Sequence, residues 1–136
     1  MNRRQVLRLG GAALVATASA GCSSAGGSED VTRVSMAENF AFDPKRVTIS
    51  AGTTVRWIND SEVGHTVTAY DGQIPSDAAY FASGGFESEK AARNDVSGGL
   101  LVAGETYEHT FDVAGTYEYV CIPHESSGMT GTVVVK

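Results

Sequence analysis

The stretch 116–135, TYEYVCIPHESSGMTGTVVV, sets two short runs rich in Thr, Tyr and Val on either side of nine residues, Cys121 to Met129. The runs read as β-strands. In the first, Tyr117 and Tyr119 alternate with Thr116, Glu118 and Val120, a period of two. The nine residues between them read as a loop, with Pro123 and Gly128 as turn formers. Its polar content is specific: the Cys121 thiolate, the His124 imidazole and the Met129 thioether stand at spacing Cys-x-x-His-x-x-x-x-Met. Thiolate and thioether suit Cu(I) and imidazole suits both oxidation states, so these three donors point to one copper ion in a trigonal His2Cys site with a long axial Met. Such a site needs one more histidine.

Outward from this stretch, the same strand signature recurs. Val31 to Ala37, Val47 to Ser50, Thr53 to Ile58, His65 to Ala69 and Glu105 to Phe111 are short, β-branched or aromatic, and separated by Gly, Asn and Asp. Seven or eight such strands predict an all-β, antiparallel Greek-key β-sandwich over residues 31–136. Between Tyr70 and Gly104 the rhythm stops, and a gap of that length predicts local structure. Ser88 followed by Glu89, Lys90, Ala91, Ala92 and Arg93 has N-cap chemistry and helix formers, so one short helix is expected there. Tyr80, Phe81 and Phe86 are expected to anchor it, with bends at Gly84-Gly85 and Gly98-Gly99.

The chain of 136 residues has room for one domain beyond its leader. Residues 1–21 carry Arg3, Arg4 and Arg8, then a small-residue apolar run from Leu9 to Ala20, too short to span a bilayer comfortably. They read as a cleaved signal peptide of the twin-arginine type. Ser19-Ala20-Gly21-Cys22 resembles a lipoprotein box, which makes Cys22 the expected lipid attachment and 22–30 a flexible tether to the extracytoplasmic face of the cell membrane. With Cys22 so engaged, Cys121 is left as a thiol for a metal rather than for a disulfide. The formal net charge is −6, and loss of Arg3, Arg4 and Arg8 with the leader takes it to −9. An acidic surface of this kind repels nucleic acid and anionic headgroups, so nucleic acid is not an expected partner.

Three histidines are available: His65, His109 and His124. His109 falls mid-strand on the face of Tyr107 and Phe111, the position of a packed, hydrogen-bonded histidine. His65 follows Gly64 after the polar turn Asn59, Asp60, Ser61, Glu62 and opens a strand, so its ring emerges at one end of the sandwich. It is the leading candidate for the missing donor.

The run Tyr117 to His124, with Gly128 and Met129, resembles the C-terminal copper loop of blue copper proteins of the plastocyanin type, in the cupredoxin family. With the twin-arginine leader, the Cys22 boundary, His65-Thr66-Val67 and the acidic surface, the chain further resembles halocyanins, membrane-attached blue copper proteins of halophilic archaea. The resemblance implies one copper ion, cycling between Cu(II) and Cu(I), with His65, Cys121, His124 and Met129 as ligands. It implies Thr66 and Pro123 as supports behind them. Thr66 stands where plastocyanins often have an asparagine that ties the two ligand loops together. His124, with Ile122, Pro123 and Gly128 around it, would form the port for electrons. The expected role is that of a monomeric electron carrier, not an enzyme, serving transient redox partners that the resemblance places among membrane respiratory complexes. An extracytoplasmic copper carrier or chaperone delivering Cu(I) would use the same soft donors. A copper oxidase or reductase would need more histidines than the one that remains, and an adhesive module would leave the Cys, His and Met spacing to coincidence.

Overall fold

Alternation of apolar and polar residues becomes an inside and an outside in the computed structural model, which describes residues 30–136. The expected leader, Cys22 and most of the tether lie outside the described residues. The strands are β1 (Val31–Ala37), β2 (Ala41–Asp43), β3 (Arg46–Ile49), β4 (Thr53–Asn59), β5 (Thr68–Ala69), β6 (Thr106–Phe111), β7 (Gly115–Val120) and β8 (Thr130–Val135). Among the described residues one α-helix, α1 (Glu89–Asn94), lies between β5 and β6, with 3-10 turns at Asp71–Gln73 and Val96–Gly99 on either side of it. Two four-stranded sheets result, in the orders β2-β1-β4-β6 and β3-β8-β7-β5.

The expected sandwich is present, but its pairing is not antiparallel throughout. β1 runs parallel to β4, with Val34 opposite Trp57, and β3 runs parallel to β8, with Val47 opposite Val133. The chain leaves the first sheet after β2, contributes β3 to the second, and turns back at Ser50–Thr53 to lay β4 alongside β1. Alternation specifies which face of a strand is buried and says nothing about its direction. A second difference concerns His65 to Ala69, of which only Thr68 and Ala69 form a ladder strand. The Thr66 N–H points at Cys121 Sγ and the Val67 N–H at Ser83 Oγ, so side chains take the donors that a strand would spend on its neighbour. β2 was not expected; it is three residues long, and Phe42 at its centre is buried edge-on to Tyr119.

Trp57 sits at the centre of the core with no exposed surface. Phe81 and Tyr107 stack beside it at 5.9 and 5.6 Å between ring centroids, and Tyr119 meets it edge-on at 5.3 Å. Tyr119 lies opposite Gly131 in the β7–β8 ladder, and its phenol ring fills the space that a Cβ at 131 would need. The helix forms where expected: Ser88 Oγ accepts from the Ala91 N–H at 3.0 Å, and Ala92 faces inward. Phe81 is the anchor of this region, and the Tyr80 hydroxyl donates to Ala69 O at 2.8 Å.

Candidate metal centre

The centre lies where two segments far apart in sequence meet at one end of the sandwich. The first begins at Asn59, the last residue of β4, which is almost wholly buried. Its amide Nδ2 donates to Val63 O and Leu101 O, both at 2.8 Å, and Oδ1 accepts from Ser61 N at 2.9 Å and Ser61 Oγ at 2.7 Å. All four of its hydrogen-bonding positions are used, which makes the polar turn rigid. The turn delivers His65, whose backbone pairs in both directions with Leu101.

Ser61 Oγ lies 3.0 Å from His65 Nε2. Its own proton goes to Asn59 Oδ1 or Val63 O, so it accepts from Nε2–H, and we assign His65 the tautomer with a free lone pair on Nδ1. That Nδ1 is 3.6 Å from Cys121 Sγ. Burial, and then the neighbouring His124, hold the His65 pKa below its ordinary value, which keeps the ring neutral and its lone pair available.

The second segment is the loop after β7. His124 N donates to Cys121 O at 3.1 Å, Met129 N to His124 O at 3.3 Å, and Cys121 N to Met129 O at 3.0 Å, folding the loop into a closed ring of backbone bonds. Gly128 closes the 3-10 turn Ile122–Ser127 in the left-handed region, with φ of 84°, where a residue with a Cβ is strained. The loop sets His124 Nδ1 3.3 Å from Cys121 Sγ. Burial also lowers the His124 pKa. At Cys121 burial pushes the thiol pKa up, while the N–H groups of Thr66 and His124 act in the opposite direction.

The nitrogen and sulfur donors of His65, Cys121 and His124 all lie within 4.8 Å of one another. Metal ions of this size bind N and S at about 2.0–2.3 Å, so the Sγ–Nδ1 separations fit donors around one shared ion. Two neutral imidazoles and a buried sulfur have the donor chemistry that suits copper, and Met129, also fully buried, closes the same loop. Thr66 joins the two segments: its Oγ1 accepts from Ile122 N at 2.9 Å and its N–H faces Sγ at 3.4 Å. His124 is the more exposed of the two histidines in the group, with Ile122 half-buried and Pro123 and Gly128 exposed beside it. His109 stays outside the group, stacked on Phe81 at 4.9 Å.

Two contributors were not anticipated. In sequence Ser61 is one residue of a polar turn, and the one signal for it is its place four residues before His65. Phe40, between β1 and β2, stacks on the His124 ring at 4.4 Å with 14° between planes, and holds a φ of 58°, uncommon for a bulky residue.

Comparison with known proteins agrees with this chemistry. Residues 29–136 match the model for copper binding proteins of the plastocyanin/azurin family. The chain is 38% identical to plastocyanin of Scenedesmus fuscus over 97 residues, covering 71% of this chain and 88% of that protein. Among solved structures, amicyanin from Paracoccus versutus is 28% identical with a TM-score of 0.56, covering 82% of this chain and 86% of that one. A purple cupredoxin from Nitrosopumilus maritimus, 24% identical with a TM-score of 0.57 and covering 77% and 99%, shares the fold. The chain belongs to the copper-binding plastocyanin/azurin family of cupredoxins, and is an electron carrier with one copper ion rather than an enzyme.

Proposed function

We propose that this chain is a membrane-attached blue copper protein of the halocyanin kind, a monomer that shuttles single electrons between membrane respiratory partners at the extracytoplasmic face. The observation that supports it best is the uneven burial of the donors: His65 and Cys121 have no exposed surface, while His124 reaches the surface. In this reading His65, Cys121, His124 and Met129 would hold the copper ion. Bound copper would supply a one-electron Cu(II)/Cu(I) couple. Ser61 holds the His65 ring in the binding tautomer, the Thr66 N–H stabilises negative charge on Sγ, and the closed backbone ring keeps His124 in place. His124 would be the port for electrons, and the small surface of Ile122, Pro123 and Gly128 suits brief encounters. Export and attachment through lipidated Cys22 rest on the leader sequence.

An optical spectrum of the full-length protein loaded with Cu(II) tests the centre. An intense thiolate-to-copper band with reversible one-electron cycling is expected, and Cys121→Ser should abolish the band. A colourless protein that hands Cu(I) to a chelating partner would replace this reading with that of a copper carrier. In cells making the full chain, Cys22→Ala should move the protein from the membrane to the soluble fraction, and an unchanged distribution would remove the lipid anchor from the proposal.

A further inference from the structure

The segment between β5 and β6 does more than cover the core. Glu125, the residue after His124, leaves the metal loop and meets Arg93 on α1 in a two-pronged ion pair: Nη1 donates to Oε1 at 2.8 Å and Nη2 to Oε2 at 3.1 Å. The Tyr70 hydroxyl, just beyond β5, donates to the same Oε2 at 2.9 Å. Arg93 is itself aimed by Glu89 one turn earlier, whose Oε2 accepts from Nε at 2.8 Å, and its guanidinium lies 6.0 Å from the Tyr70 ring centroid. Glu89 in turn accepts from the Asp71 N–H at 3.0 Å, which fastens the start of α1 to the chain leaving β5.

We propose that this segment is a clamp on the metal loop: Arg93 and Tyr70 hold Glu125, and Glu125 holds the backbone on which His124 is mounted. Arg93 and Glu125 are therefore positioning residues. Three features carry the inference. The guanidinium–carboxylate fork fixes direction as well as distance, which a single ion contact does not. Every member of the network has a partner that constrains it. The point of attachment is the residue next to the one candidate ligand that reaches the surface, and it adds to the loop's own backbone bonds, the Thr66 tie at Ile122 and the Phe40 ring stacked on His124. The charged side chains remain about a third exposed, at 33% and 38% for the pair, so solvent screens them and their effect on global stability is small. Local order in the loop is where the clamp acts.

The purpose of the clamp rests on the copper reading, but its existence is testable without metal. Amide hydrogen exchange is measured on the metal-free, full-length protein and its variants. With Arg93→Ala, the amides of His124 and Gly128 should exchange about 10-fold faster while those of Tyr119 and Thr132 in the neighbouring strands keep their rates. Glu125→Gln should give the same pattern, the double variant should add nothing further, and Arg93→Lys should restore protection only in part. Release of copper from the reduced protein to a Cu(I) chelator should quicken several-fold in Arg93→Ala, while the Cu(II)-loaded variant keeps the thiolate band. If Arg93→Ala speeds exchange in α1 alone, or leaves the loop amides and copper release unchanged, Arg93 is a helix-surface residue and the clamp is refuted. A wild-type protein without the thiolate band would overturn the copper reading separately, and the exchange data would still decide the clamp.

Discussion

Ser61 has one hydroxyl proton, and both Asn59 Oδ1 and Val63 O lie within its reach, at 2.7 and 3.0 Å. Whichever takes it, the oxygen is left to accept from His65 Nε2–H, so the ring orientation depends on a side chain with no contact to the metal position. Ser61→Ala should take from the buried Nε2–H its side-chain acceptor, leaving the ring only the Ala37 backbone. A loss of about 1–3 kcal/mol in the metal-free protein is expected from that alone, measured by chemical denaturation. Copper affinity should fall about 10–100-fold, measured by competition with a chelator, because the ring is free to turn its other nitrogen inward. An affinity equal to wild type would show that packing and not Ser61 sets the tautomer. His65, Cys121, His124 and Met129 were legible as candidates because their chemistry is narrow and three of them share one loop. Ser61 and Phe40 were not. A serine in a turn and an aromatic after a strand are ordinary in sequence, and only folding puts Phe40 against an imidazole 84 positions away.

Elements were legible to the extent that their signals are local. Period-two alternation located most of the strands, and the Ser88 cap located α1, since each depends on neighbours a few residues away. Direction and partner were not, because a parallel pair such as β1–β4 arises from where the intervening chain crosses between sheets. Residues 66 and 67 illustrate the same limit: they continue the pattern of a strand, yet their N–H groups go to the Cys121 and Ser83 side chains. The β7–β8 ladder gives a sharp test at this level. Gly131→Ala places a methyl against the Tyr119 ring, and the ring has no room to retreat because Trp57 and Phe42 pack on it. Overpacking of this kind costs about 1–3 kcal/mol, so a lowered denaturation midpoint is expected. An unchanged midpoint would mean that the aromatic core yields more readily than its packing indicates.

For the whole molecule, the fold joins His65 to Cys121 across 56 positions by means of an aromatic core built from both sheets. That core also holds the one histidine with no place in the centre. His109 lies against Phe81 and Phe111, and burial holds its pKa below the ordinary value, with Asp112 partly opposing the shift. The unfolded chain carries a histidine of pKa about 6.5. Between that value and the lower folded one, the unfolded state binds more protons, so stability rises with pH across this window and falls as pH drops through it. The contribution is fully present above about pH 6.5, and within the window its slope reaches at most about 1.4 kcal/mol per pH unit. His65 and His124 shift in the same direction in the metal-free protein, so the test is a difference. Denaturation of wild type and His109→Phe is followed from pH 7.5 to 5, the phenylalanine keeping a ring on Phe81. Wild type should lose more stability than the variant as pH falls. Parallel curves would show that His109 takes up its proton in the folded state as readily as in the unfolded one.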